Sequence, residues 1–372
     1  MGPHPAAFLV SLLRHFGFDH AVAFAMMSKI WQLLAAPVTL LLIAQFLTPE
    51  QQGYYYTFMS LVALQSFLEL GFYLVIIQFA SHEWSLLSMD GQGRLTGDAL
   101  AQSRLASLGR LVLKWYSVAS SLFISGVGLA GYWFLQQKEN PEIQWQAPWL
   151  VLIVIAGIQL WTLPFLSLLE GCNQVKQIYR IRFFQTLTAT LVIWVCLAAG
   201  GQLWTAAAGI FAGLLMVLYQ LYIRYEEFFI SLFTIRPDTV ISWKKEILPM
   251  QWRLAAKGLV AYFLFSIYTP IMFHLHGPVV AGQMGLTWQL VTAAETLAIS
   301  WILTKAPQFG MLASKKNYEE LNPLFFRVSI GAMGMIICTA LGLWGLVYAL
   351  NYFEHPLANR MLSPMPTGIF VT

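Results

Sequence analysis

Charge is what this sequence has least of: Asp, Glu, Lys and Arg make up 10% of its 372 residues, against 58% hydrophobic and 15% aromatic. A soluble domain carries about 25% charged residues, so that balance excludes one and points to a polytopic membrane protein. Cysteine is also scarce. Cys172, Cys196 and Cys338 stand far apart with no paired spacing, which argues against a disulfide frame or a metal site and reads as buried small apolar residues. No GxxxxGK[ST] run is present, so no ATP hydrolysis and no cofactor are expected, and energy must come from a gradient or the substrate. There is no basic block either. The net charge of +4 comes from 21 Lys and Arg scattered between apolar runs, a topology signal with no nucleic-acid footprint. The opening MGPHPAAFLVSLLRHFGFDH lacks a basic start followed by a small-residue cleavage site, so the first span is expected to act as its own insertion signal.

What is there is a succession of apolar runs. A spanning helix needs about 20 such residues, and about nine runs reach that length: 21–47, 54–80, 111–135, 148–169, 183–199, 203–222, 247–273, 279–301 and 325–350. None alternates as a barrel strand does, so the spans are helical. The connectors alternate in charge. Arg94, Arg104, Arg110 and Lys114, then Lys176, Arg180 and Arg182, then Arg224, Arg236, Lys244 and Lys245, then Lys305, Lys315, Lys316 and Arg327 fall on one side, with only Lys138 and Arg360 on the other. Positive-inside asymmetry then makes the N-terminus cytoplasmic and the turns 48–53, 200–202 and 275–278 external. Phe8, Leu9, Leu12, Leu13 and Phe16, around Arg14 and His15, predict an interfacial helix ahead of the first span. DALAQSRLASLGRLVLKW from Asp98 predicts an elbow helix hugging the headgroups, or a docking face for a partner enzyme.

Self-comparison gives a faint repeat. Lys29 corresponds to Lys257 at an offset of 228, and Pro49 to Pro278 and Gly53 to Gly282 at 229, each Pro–Gly pair at an external turn leading into the next helix. An even number of spans separates the copies, so both enter the membrane in the same direction. The expected fold is therefore an all-α polytopic transmembrane bundle of two parallel-repeat lobes. A six-span N-terminal lobe covers 1–225, a cytoplasmic linker 226–246, and a C-terminal lobe of three spans 247–372. By comparison with the first lobe, the second is expected to be incomplete.

Charges within the spans are the candidate functional residues. A charge at mid-bilayer costs roughly 2.5–3.5 kcal/mol, so it normally faces a cavity or a partner. Lys29, Arg253 and Lys257 are the candidate cations of a cavity, snorkelling to the surface being the alternative for the lysines. Glu69 lies near the inner surface, suited to a salt bridge with a basic loop or to ion coupling. Gln289, Thr292, Glu295, Thr296 and Ser300 recur at helical spacing, a polar stripe that fits either helix packing or a cavity wall. Glu295 could pair with Lys257 or carry a coupling proton. Trp288 and Tyr262 suit core packing or stacking on sugar rings, and Pro270 predicts a kink.

LIAQFLTPEQQGYYYTFMSLVALQSFLELGF resembles the opening helix pair of the polysaccharide-transporter flippases, the O-antigen branch of the multidrug/oligosaccharidyl-lipid/polysaccharide exporter superfamily. The likeness rests on the turn Leu47, Thr48, Pro49, Glu50 and Gly53, followed by Glu69 and Gly71. LEGCNQVKQIYRIRFFQ from Leu169 is similar to that family's loop between spans four and five. The resemblance implies a non-enzymatic flippase of the bacterial inner membrane that moves an undecaprenyl-diphosphate-linked oligosaccharide outward by alternating access. Membrane lipids, and the glycosyltransferases or polymerase of the same pathway, are the implied partners. Lys29, Arg253 and Lys257 would meet the diphosphate. Alternatives are a cation-coupled drug or small-molecule antiporter of the same superfamily, which calls for an acidic, aromatic cavity; a membrane-embedded glycan polymerase or ligase, which calls for a large external loop; and a non-transporting scaffold for glycan assembly.

Overall fold

The apolar runs fold as helices whose ends are set by proline, glycine and polar caps. The structure, a computed structural model, describes residues 20–138, 141–239, 241–314 and 317–371. The expected interfacial helix on Phe8 to Phe16, and Lys315 and Lys316, lie outside the described residues. The helices are α1 (His20–Phe46), α2 (Pro49–Val62), α3 (Gln65–Glu69), α4 (Phe72–Trp84), α5 (Ala99–Leu122), α6 (Gly128–Gln136), α7 (Gln146–Gly171), α8 (Val175–Ala198), α9 (Trp204–Thr234), α10 (Leu248–Phe265), α11 (Tyr268–His276), α12 (Pro278–Ser314), α13 (Tyr318–Tyr352) and α14 (Pro364–Val371). One turn of π-helix at Phe123–Val127 joins α5 to α6, and strands β1 (Leu87–Met89) and β2 (Leu95–Gly97) form an antiparallel hairpin.

Among the described residues, seven helices are long and apolar enough to cross a membrane, or eight if the pair Pro49–Glu69 and Phe72–Trp84, bent by 43°, is one span. The chain is thus a multi-pass, all-α membrane protein. The expected count of about nine differs by α12, which has 37 residues but is not among these candidates. Its Gln283, Thr287, Gln289, Thr292, Glu295 and Thr296 lower its hydropathy. Pro270 stands in the first turn of α11, just beyond a break after Phe265 within the candidate span Leu248–His276, so the span is interrupted next to the proline that predicted a kink.

Two compact units emerge, Met1–Ala35 with Phe58–Tyr268, and Ala36–Thr57 with Thr269–Thr372. This partition runs on different lines from the sequence lobes, because the C-terminal part of α1 and the N-terminal part of α2 cluster with α11 and α12.

In the first unit small residues let helices approach. A Cβ on Gly213 would sit 3.5 Å from the Ala189 Cβ, where α9 crosses α8 through Gly209 and Gly213, a GxxxG spacing. The Trp149 indole N–H donates to the Gly128 carbonyl at 3.0 Å and ties α7 to α6. The second span breaks at Leu70 (φ 51°) and Gly71 (φ 66°), both left-handed. Glycine is required at 71 on two counts: its φ, and a Cβ that would lie 2.6 Å from the Leu254 Cβ. Leu70 has no such freedom, and its conformation costs about 1–2 kcal/mol.

The expected elbow helix is not separate. Asp98 caps α5, its carboxylate accepting from the Ala101 N–H at 2.9 Å, and the helix runs unbroken to Leu122. The face assigned to headgroups or a partner enzyme instead holds the chain's own linker. Ser103 Oγ accepts from the N–H of Asp238 (2.8 Å) and Thr239 (3.1 Å), Ser107 Oγ accepts from Ile241 (3.0 Å), and Arg110 donates to the carbonyls of Phe233 (3.0 Å) and Ile235 (2.6 Å). Arg104 completes the clamp by bridging two carboxylates, Nε to Glu83 at 2.8 Å and Nη2 to Glu246 at 3.1 Å.

Glu246 gives this clamp a pH dependence. Its carboxyl is held below the ordinary 4.5, first by the Ser242 backbone N–H that donates to it at 2.9 Å, with burial opposing and Arg104 adding to the lowering. A depressed pKa contributes stability above the unfolded value that is lost as pH falls through the folded one. Thermal unfolding in detergent should therefore show wild type losing its advantage over Glu246→Gln as the pH drops below the ordinary 4.5. Parallel curves across that range would contradict the assignment.

In the second unit α2 and α12 cross through residues the repeat had paired. A Cβ on Gly53 would overlap the Pro278 carbonyl oxygen, and one on Gly282 would lie 2.9 Å from the Gly53 nitrogen and 3.2 Å from the Pro49 carbonyl oxygen. Each copy of the Pro-x-x-x-Gly segment thus packs on the other. Gln52, buried, donates from Nε2 to the carbonyls of Gly282 (2.9 Å) and Arg360 (3.1 Å), and Tyr54 meets Phe273 edge-on at 5.1 Å.

Candidate functional site

The expected site residues divide between the two units, and each group has its own geometry. In the first unit Lys29 stands on α1 and Arg253 and Lys257 stand on α10, all three exposed. None makes an ion pair among the described residues; Arg253 lies 5.9 Å from the ring of its neighbour Trp252. α10 packs against α3, the short helix that ends at Glu69, and Phe67 inserts there with its ring 4.8 Å from Tyr262 and 6.0 Å from Phe263. Tyr262 is buried in that contact, which makes it a packing residue.

Glu69 is half-buried and has no ion pair or hydrogen bond among the described residues, so the salt bridge to a basic loop does not form. Around it stands a polar group that the sequence did not single out. Arg182 of α8 donates from Nη2 to Glu170 Oε2 of α7 at 2.9 Å, and the Tyr73 hydroxyl of α4 donates to the same oxygen. The Arg182 guanidinium lies 5.0 Å from the Tyr73 ring and 5.8 Å from that of Tyr179, and within electrostatic reach of Glu69. Tyr116 of α5 is fully buried against Phe72, the rings stacked at 6.2 Å, and its hydroxyl has no hydrogen-bond partner among the described residues. The available signal was a glutamate shortly followed by a glycine, Glu69-Leu70-Gly71 inside the second span and Glu170-Gly171 at the end of α7. Arg182 was read only as one of the topology-setting basic residues.

In the second unit the polar stripe lies on α12. The Tyr56 hydroxyl donates to Gln289 Oε1 at 2.7 Å, which ties α2 to α12 at the level where a Gly285 side chain would meet Tyr56. Thr292 donates back to the carbonyls of Trp288 (2.9 Å) and Gln289 (3.1 Å), and Thr296 to that of Thr292 (2.8 Å). Those bonds satisfy both hydroxyl protons within the helix, as packing alone would require. Glu295 is half-buried and makes no ion pair among the described residues. The side chain of Ser300 is not among those described. Among the described residues, no group of His, Cys, Asp or Glu is placed to hold a metal ion.

Chemically, the first unit offers three cations along candidate spans with no ion pair among the described residues, and a separate carboxylate–guanidinium–phenol cluster. The second offers a carboxylate beside a largely self-satisfied polar stripe. No family model, curated protein or solved structure matches this chain.

Proposed function

We propose that this chain is a flippase that moves an undecaprenyl-diphosphate-linked oligosaccharide from the inner to the outer leaflet of a bacterial inner membrane by alternating access. The observation that carries this reading is the exposure of Lys29, Arg253 and Lys257 on candidate spans, with no ion-pair partner among the described residues. Lipid is a costly environment for a lysine or arginine in a span, and an aqueous path is a cheap one. A path lined by fixed cations suits an anionic diphosphate headgroup, whose water it replaces with charge, Arg253 offering a fork and the lysines point charges. The two-lobe parallel repeat belongs to the same reading and is supported by the reciprocal packing of Pro49 and Gly53 on Pro278 and Gly282. The resemblance of the 42–72 and 169–185 segments to polysaccharide transporters adds the substrate class.

Removing charge should lower transport without lowering abundance. Lys257→Gln and Lys29→Gln are each expected to reduce glycan export about tenfold, the loss of about 1.4 kcal/mol of interaction with the headgroup, at unchanged membrane levels. Export and immunoblot measured together check this, and normal export in both variants would remove the lysines from the path.

A further inference from the structure

We infer that Glu69, Glu170 and Arg182, with the hydroxyls of Tyr73 and Tyr116, form a binding site for one monovalent cation inside the first unit. The argument starts from unequal charge. Glu170 takes the ion pair with Arg182 at 2.9 Å, and among the described residues the same guanidinium is the cation within electrostatic reach of Glu69. Two carboxylates, one mostly buried and one half-buried, therefore share one positive charge, and a partly desolvated charge without full compensation is relieved by taking up a partner. A proton or a sodium ion supplies the missing charge.

The second observation comes from a different helix. Tyr116 is fully buried, its hydroxyl has no partner among the described residues, and it lies within electrostatic reach of Glu69. A buried hydroxyl without a hydrogen bond costs about 1–3 kcal/mol, and an ion or proton held at Glu69 gives it one. Among the described residues no other cation pairs with either carboxylate: on α8, Lys176 is exposed and the half-buried Arg180 lies within electrostatic reach of Tyr225. On α5, Lys114 is exposed; α7 is followed by the buried thiol of Cys172; α8 adds the Tyr179 phenol; and α10 approaches at Gly71 with Leu254 while its Arg253 and Lys257 are exposed. The site sits at the break of the second span, between the end of α3 and the start of α4, as substrate and ion sites of discontinuous membrane helices do.

The site's role as the coupling site of transport rests on the flippase reading; its occupancy by a cation does not. The test accordingly uses no glycan. Purified full-length protein in lipid nanodiscs is titrated from alkaline to acidic buffer, and the carboxylic-acid carbonyl band is followed by infrared difference spectroscopy. In parallel, thermal unfolding is measured in sodium and in choline salts at one alkaline pH. A proton site gives one band that grows on acidification and is lost in Glu69→Gln. A sodium site gives an upward shift of the unfolding temperature in sodium that is lost in the same variant. Tyr116→Phe, which leaves both carboxylates and most of the packing in place, should move the midpoint of whichever response is found. A protein with neither response, or one whose response ignores both substitutions, overturns the inference. Export that fails while the band or shift persists would sink the flippase reading and leave the cation site standing.

Discussion

Gly53→Leu is expected to remove most of the folded protein from the membrane. Gly53 lies on α2 where it crosses α12, and any Cβ there overlaps the backbone carbonyl of Pro278. A flexible side chain could swing away; a helix backbone cannot without opening the crossing. The partner position is closed too, since Gly282 approaches the Gly53 nitrogen and the Pro49 carbonyl. Opening the crossing also strains the buried bonds from Gln52 to the Gly282 and Arg360 carbonyls and the bond from Tyr56 to Gln289. The cost should reach about 3 kcal/mol, the upper end for overpacking a close contact. Gly334→Leu on α13 is the control, because nothing lies within 4 Å of a Cβ there. Detergent-extracted protein run on a sizing column should show the monodisperse peak lost in the first variant and kept in the second. Equal behaviour would mean that the α2–α12 crossing is not built as described.

Arg104→Leu should be nearly as damaging, for an electrostatic reason. Arg104 is the shared partner of Glu83, which is buried, and of Glu246 on the linker. Removing it leaves the Glu83 carboxylate in the interior, where the nearby His82 nitrogen at 3.4 Å is a weak substitute. Breaking a buried pair costs about 3–5 kcal/mol. Because 30% of the Arg104 side chain is exposed, water screens part of that, and about 3 kcal/mol is expected. Lysine offers a single ammonium where the guanidinium reaches two carboxylates from two nitrogens, so Arg104→Lys should recover only part of the loss. Glu83→Gln combined with Arg104→Leu should be more stable than Arg104→Leu alone, since no buried charge is then orphaned. A double-mutant cycle read by thermal unfolding tests this, and additive effects would contradict the pairing.

The spanning helices were legible because about 20 consecutive apolar residues have few other fates. Legibility failed where a pattern did not state what covers it. Residues 99–110 have an apolar, serine-bearing face that suits a membrane surface as well as it suits the linker that Ser103 and Ser107 hold from more than a hundred residues away. The hairpin of β1 and β2 could have been found, since Asp90-Gly91 is a turn signal and the Asp90 carboxylate accepts from the N–H groups of Gln92 (2.9 Å) and Arg94 (2.8 Å). Within the candidate site, Lys29, Lys257 and Glu69 announced themselves as charges in apolar runs. Glu170 and Arg182 did not, because each sits near a span end where a charge is ordinary. Tyr116 gave no signal at all, as a tyrosine in a membrane helix is unremarkable until its hydroxyl is seen to lack a partner.

The proposed function is tested most directly by the leaflet distribution of undecaprenyl-linked glycan in a host with and without this gene. The account predicts that deletion leaves the glycan on the cytoplasmic leaflet, that the intact gene restores it to the outer leaflet, and that the Lys29→Gln and Lys257→Gln variants restore it poorly. A normal distribution in the deletion strain, with no redundant transporter present, would contradict the flippase reading.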